Sequence, residues 1–269
     1  MAVSILNRRT EDKSMKADIR IFKDLENLSR HAAELFVEQS AKAIKERGRF
    51  LVALNGGDTP MRLFQLLATD FRDKAAWSNV HVFWGDERCV PPGDQGSSYG
   101  QAREAVLSHV PLPDSNIHRV DTSLPPAEAA QEYALTLSQF SNSPSPLGSP
   151  RFDLIYLGMG EDGHTASLFP GSTLHATETV IPVAANYQDR PANRVTMTQL
   201  VFNQARMVVF MATGEKKAVT LAEVLSDRYN PELYPAQRVD PKDGQLIWLV
   251  DESAAGKLPG NLTTKFCEG

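Results

Sequence analysis

Apolar residues recur along the chain in two alternating periods. Over Leu25–Arg47 they fall at helical spacing, with Leu25, Leu28, Ala32, Leu35, Phe36, Ala41 and Ile44 on one face. The next segment, Phe50–Leu54, is instead an unbroken apolar run that stops at Asn55-Gly56-Gly57. Such a run predicts a strand covered on both faces, followed by a tight turn. Thr59-Pro60 predicts the opening of a second helix, with Pro60 at the first helical position, where its missing N–H costs no hydrogen bond. The alternation then repeats. Strands are expected over Val80–Trp84, Ile117–Val120, Phe152–Gly158, Arg194–Thr198, Met207–Ala212 and Leu246–Val250. Helices are expected over Ser97–His109, Pro126–Phe140 and Gly214–Ser226.

Apolar strands that alternate with helices imply an α/β fold of three layers, α/β/α, with a mostly parallel, Rossmann-like central sheet. The Pro/Ser-rich stretch Ser141–Pro150 reads as a surface loop within one domain, because the alternation resumes unchanged after it. The expected organisation is one domain over 18–269 with a flexible N-terminal extension over 1–17. A chain of 269 residues, 42% apolar and 23% charged, can bury a core without staples. Its net charge of -5 argues against a general nucleic-acid binder but leaves room for a local basic pocket. Residues Met1–Arg20 lack the apolar run of a signal peptide, and no segment has the length of a membrane span. Cys89 and Cys267 stand far apart, with no CxxC pair and no zinc-like Cys/His spacing, which predicts reduced thiols, no metal and a cytoplasmic setting.

In a parallel sheet, ligands bind beyond the carboxyl ends of the strands. Four stretches fall there. Asn55-Gly56-Gly57-Asp58-Thr59-Pro60 joins a strand to a helix, and its glycines and helix start can bring backbone N–H groups to an anion. It is neither a P-loop nor a dinucleotide fingerprint, and a plain turn would look the same. Asp86-Glu87-Arg88 follows a strand and either solvates a loop or lines a pocket. Gly158-Met159-Gly160-Glu161-Asp162-Gly163-His164 contains a GxGxxG, yet no acidic residue ends a strand about 20 residues on, as nucleotide binding requires. Its distinctive part is Asp162 two residues before His164, since a carboxylate can orient an imidazole that acts as a base near neutral pH. Finally, Arg194 opens a strand, and Lys216 and Lys217 sit at a helix start, where cations oppose the helix dipole unless an anion is near.

Taken together, these stretches resemble the 6-phosphogluconolactonase family, from roughly Ile21 to Ala255. The most specific segment is LGMGEDGHTASLFPG, Leu157–Gly171. Gly85–Pro91, Asn193–Thr198, Ala212–Ala218, Pro235–Val239 and Gly244–Trp248 support it. The chain departs from the family pattern at Asn55, where Ser is usual, and it carries a carboxylate, Asp58, beside the expected anion site.

The resemblance implies a fold shared with glucosamine-6-phosphate isomerases and no cofactor. It implies hydrolysis of 6-phospho-D-glucono-1,5-lactone in the oxidative pentose phosphate pathway. Phosphate is expected on Asn55, Gly56, Gly57 and Thr59, with Arg194 and Lys217 as counter-charges. His164 is the expected base, oriented by Asp162 or by Asp86, and Arg88 the oxyanion stabiliser. The expected partner is the small phosphorylated sugar lactone, without nucleic acid or membrane, and the chain is expected to be a monomer or weak homodimer. One rival reading is an aldose–ketose isomerase or deaminase on the same fold. Those enzymes carry an acidic residue after Asp-Gly-His, where this chain reads Thr165-Ala166-Ser167-Leu168-Phe169-Pro170. The other is a non-catalytic sugar-phosphate-binding module, against which the intact Asp162/His164 pair argues.

Overall fold

The computed structural model describes residues 17–141, 148–172, 174–260 and 262–267. The expected extension over 1–17 lies almost wholly outside them, as does the middle of the Ser141–Pro150 loop. Among the described residues there are eleven strands: β1 Asp18–Phe22, β2 Phe50–Leu54, β3 Val80–Trp84, β4 Asp86–Arg88, β5 Ile117–His118, β6 Leu154–Gly158, β7 Val180–Ala184, β8 Asn193–Met197, β9 Met207–Ala212, β10 Gln245–Asp251 and β11 Thr264–Cys267. The helices are α1 Leu25–Arg47, α2 Met61–Ala68, α3 Ser98–Ala102, α4 Pro126–Ser138, α5 Gln199–Phe202, α6 Ala218–Val224 and α7 Glu252–Ala255. Helix α1 starts at Asp24, whose carboxylate accepts the Asn27 N–H at 3.0 Å, and stops at Gly48, whose φ of +78° turns the chain out of the helix. Its buried face includes Ala33 and Ala43, while Ala41 is exposed.

Eight strands form a sheet in the order β11-β1-β10-β9-β6-β2-β3-β5, parallel at every pairing. Side chains alternate across it. Leu51, Ala53, Phe83, Ile155, Leu157 and Phe210 join one core with α4 and α6, whereas Phe50, Val52, Leu54, Val82, Tyr156 and Val209 join the other with α1 and α2. This is why the strands read as unbroken apolar runs. Phe210 and Trp248 stack across neighbouring strands with centroids 4.0 Å apart.

Several boundaries differ from the sequence reading. Asp86–Arg88 is a buried strand rather than a loop, and Arg194 lies outside the parallel sheet. Both belong to a small antiparallel sheet ordered β4-β8-β7. The helix expected over Gly214–Ser226 begins with a 3₁₀ turn, Glu215–Lys217, and Pro60 precedes α2 rather than opening it. The helix after Ser97 continues beyond α3 as a π-helical turn, Arg103–Leu107. No helix among the described residues is long and apolar enough to cross a membrane.

Candidate active site

After β2 the chain builds the sheet outward through β3 and β5; after β6 it builds the other way through β9 and β10. Loops leaving β2 and β6 therefore diverge and open a cleft at this reversal. The cleft is about 810 Å³, mouth included, and is lined by residues 55–60 and 158–161, His164, Asp86, Arg88, Arg194, Lys217, Tyr187, Gln188 and Arg190.

The loop after β6 folds back on itself. Gly160 donates to the His164 carbonyl at 2.9 Å and accepts from the Gly163 N–H at 3.1 Å, and Gly163 takes the left-handed φ of +83° that this turn needs. As a result Asp162 Oδ1 accepts both the His164 backbone N–H at 3.1 Å and its ring Nδ1–H at 2.6 Å. An ionised carboxylate has no proton to give, so Nδ1 carries it, and in the neutral imidazole Nε2 is then the acceptor. The imidazole stacks on Phe169 at 4.5 Å and meets the Tyr187 ring edgewise at 4.6 Å. Burial raises the Asp162 carboxyl, but the hydrogen bond and charge of His164 outweigh it and hold the group below its ordinary range.

Strand alternation explains the three charges of β4. Asp86 and Arg88 share the cleft face, and Glu87 points the other way. There Glu87 accepts the N–H groups of Arg88, Ser98 and Tyr99 at 2.8, 2.7 and 2.8 Å and the Ser97 hydroxyl at 3.1 Å, capping α3. Burial pushes its carboxyl up while those N–H groups oppose the shift. Asp86 Oδ2 accepts the Ser167 hydroxyl at 2.6 Å. Of the two carboxylates that could orient His164, Asp162 is thus the one bonded to it.

Arg88 stands opposite Arg194 on the β4–β8 ladder. Arg88 Nη1 donates to the Gly96 carbonyl at 2.7 Å, and Arg194 Nε to the Pro191 carbonyl at 3.0 Å. Arg88 Nε and Arg194 Nη2 are buried without a hydrogen-bond partner. Burial pushes the Arg194 guanidinium down, with Asp86 opposing and Arg88 reinforcing. Lys217 is likewise lowered by burial, against Glu161, Asp251 and Asp58. Paired guanidiniums with unused donors, near a desolvated ammonium, suit a bound anion.

In the loop after β2, two carbonyls, of Leu54 and Tyr156, face the Asn55 side-chain amide; assigned with its nitrogen toward them, it donates to both at 3.0 and 3.3 Å and ties β2 to β6 where their loops part. A side chain on Gly56 would meet Ser98 Oγ at 2.4 Å. Gly57 donates its N–H to Gln101 Oε1 at 3.1 Å, and Thr59 Oγ1 lies 3.3 Å from Thr213 Oγ1. Lys216 is exposed, unlike Lys217.

Sequence reasoning missed the hairpin that joins β7 to β8. It brings Tyr187, Gln188 and Arg190 over the cleft, and its available signal was the polar Gln188-Asp189 pair before Pro191. Phe169 was read as part of a motif, not as the ring beneath His164. No group of three or more His, Cys, Asp or Glu among the described residues is placed to hold a metal ion.

Residues 23–248 match the family of glucosamine-6-phosphate isomerases and 6-phosphogluconolactonases. The chain is similar to a 6-phosphogluconolactonase of Nostoc sp., 37% identical over 91% of this chain and 99% of the relative. It is 40% identical to one of Synechocystis sp. over 81% of this chain and 88% of the relative. A solved 6-phosphogluconolactonase of Thermotoga maritima, 30% identical, superposes with a TM-score of 0.76 over 88% of this chain and 100% of that one.

Proposed function

The chain belongs to the family of glucosamine-6-phosphate isomerases and 6-phosphogluconolactonases, and on that premise we propose that it hydrolyses 6-phospho-D-glucono-1,5-lactone to 6-phospho-D-gluconate. The observation that carries the reading is the Asp162–His164 pair, with its free imidazole nitrogen, in a cleft that also holds Arg88, Arg194 and Lys217.

In this reading the phosphate rests against the backbone of Gly56 and Gly57 and on Thr59, with Lys217 and Arg194 as counter-charges and Asn55 holding the turn in place. His164 Nε2 takes a proton from water as the water oxygen bonds to the lactone carbonyl carbon. Charge moves onto the carbonyl oxygen, where Arg88 stabilises it through its unused N–H. The tetrahedral intermediate then collapses. The bond from the carbonyl carbon to the ring oxygen breaks, and the imidazolium returns its proton to that oxygen as it becomes the sugar hydroxyl. The new carboxylic acid loses its proton to solvent. Asp162 keeps the imidazole in the reactive tautomer and compensates its positive charge. Asp86 orders Ser167 beneath the loop. The chemistry needs a base and an oxyanion site, and no cofactor.

The same reading places the enzyme in the cytoplasm and in the oxidative pentose phosphate pathway, as one domain over 18–269 and a monomer or weak homodimer. The test is release of acid from freshly made phosphorylated lactone, with ammonia release from glucosamine 6-phosphate measured in parallel. Acid release above the spontaneous rate is expected. Ammonia release without it would favour the deaminase, and binding without turnover would favour a sensing module.

A further inference from the structure

Asp58 is the residue of the anion-binding turn that the proposed mechanism leaves unused, and a carboxylate there opposes phosphate. Its side chain is 97% exposed, and its partner across the mouth of the cleft is Arg190, at 3.7 Å. Arg190 sits at the end of the β7–β8 hairpin turn. The Arg190 N–H donates to the Tyr187 carbonyl at 3.0 Å, and Gln188 and Asp189 take φ of +49° and +54°. Two successive non-glycine residues in the left-handed region form a tight turn that fixes where its flanking side chains point. Tyr187, on the near side of that turn, is seated against His164, and its hydroxyl accepts the Glu161 N–H at 3.4 Å. The hairpin is therefore anchored to the loop after β6 while Arg190 reaches toward the loop after β2.

Arg190 also acts electrically on the cleft. Burial pushes both Arg194 and Lys217 down, and the Arg190 charge adds to each shift. Three cations thus converge, and the one nearest solvent is engaged by a long, exposed ion pair of the kind that contributes little. That pair is weak enough to be exchanged for a better anion.

We propose that Arg190 is a specificity-determining residue that closes on the substrate phosphate by exchanging its Asp58 partner for it. Asp58 holds Arg190 over the mouth when the cleft is free and competes with phosphate when substrate arrives. This rests on the phosphorylated-lactone reading above and adds to it a third cation and a built-in competitor.

The test measures binding of inorganic phosphate by calorimetry at fixed ionic strength, together with KM for the phosphorylated lactone. It compares wild type, Arg190→Ala, Arg190→Lys and Asp58→Asn. Arg190→Ala should weaken phosphate binding and raise KM by about five- to tenfold, as loss of one partly exposed charged contact implies. Arg190→Lys should recover part of this. Asp58→Asn should shift both in the opposite direction, tightening by about two- to fivefold. A pair that merely straps the hairpin down gives the same sign for both residues, and that outcome overturns the proposal. Unchanged phosphate affinity in Arg190→Ala overturns it too, whether or not the lactone is hydrolysed. If phosphate binds in an Arg190-dependent way but the lactone is not turned over, the anion seat stands and the lactonase reading falls.

Discussion

Gly160 offers the sharpest perturbation of the candidate base. A Cβ at this position would lie 2.1 Å from His164 Nδ1, 2.2 Å from its Cε1 and 2.7 Å from Asp162 Oδ1. Reaching even 3.0 Å from Nδ1 requires the ring to retreat by about 0.9 Å. The retreat is obstructed, because Phe169 lies against one face of the imidazole and Tyr187 closes another side. The ring must therefore rotate and lengthen its 2.6 Å bond to Asp162. A misplacement of about 1 Å at a reacting group costs on the order of 10²-fold in rate, or about 2.7 kcal/mol. Backbone strain does not confuse the test, since Gly160 is not among the glycines with positive φ. Removing a glycine also restricts the unfolded chain, which favours folding by about 0.4–1 kcal/mol. Gly160→Ala should lower kcat by about 10²-fold or more with little change in KM and a melting temperature near that of wild type. In a His164→Ala background it should do nothing further, because both act on one unit. Steady-state kinetics and thermal melts of the four proteins provide the check. Wild-type turnover in folded Gly160→Ala would show that the Asp162–His164 arrangement is not the working one.

Two further outcomes follow from named contacts. His164→Ala should lower kcat by about 10²–10⁴-fold; Asp162→Asn should do similar damage, because an amide that donates to Nδ1 moves the ring proton to Nε2, and near-normal kcat in either folded variant would remove the base from the mechanism. At the far edge of the sheet, His118 and His81 face each other at 3.1 Å beside Phe83 and Phe140, with Arg49 over the Phe140 ring; burial, aided by His81, pushes His118 down to about 4. Its native form stays neutral while the unfolded form takes up a proton, so stability should fall as pH drops from about 6.5 towards 4. Discounted for partial exposure, the loss is about 1–2 kcal/mol; urea melts of His118→Gln should show a flatter profile over that window, and an unchanged slope would refute the assignment.

The central sheet was legible because its strands are buried on both faces and carry no polar interruption, as at Phe50–Leu54 and Met207–Ala212. Strands β1, β7 and β11 were not, because Asp18–Phe22 mixes charged with apolar residues and the other two carry exposed positions that break the pattern. Asp86-Glu87-Arg88 left a solvated loop and a pocket lining both open, and its strand went unread, for a related reason. Three adjacent charges resemble a solvated loop, and their burial depends on partners distant in sequence: Ser167 for Asp86, the start of α3 for Glu87, and Gly96 for Arg88. The Asp162–His164 contact was readable because it is local. The convergence of Arg88 with Arg194 was not, since it is made by antiparallel pairing across more than a hundred residues. Nor was the hairpin that sets Tyr187 and Arg190 over the cleft, because their side chains meet partners distant in sequence, His164 for Tyr187 and Asp58 for Arg190.

That Arg88–Arg194 pairing also exposes a conflict between folding and binding. Like charges directly opposite on a ladder destabilise it; here both are buried, each retains an unused donor, and Asp86 is a partial counter-charge already engaged by Ser167. Arg194 recovers some of this through its bond to Pro191 and its place over the Phe169 ring at 5.1 Å, contacts that contribute about 1 kcal/mol each. Relief of desolvation and repulsion should at least match that loss. Arg194→Met is therefore expected to melt no lower than wild type without added anion, and up to about 2–4 °C higher for each kcal/mol relieved. Inorganic phosphate should reverse the order. At a hundred times its dissociation constant it adds about 2.7 kcal/mol to wild type, and much less to the variant. The two proteins should thus exchange rank between phosphate-free and phosphate-rich buffer. If Arg194→Met melts well below wild type in both, the arginine serves the fold rather than the anion, and the charge pair across β4 and β8 is structural.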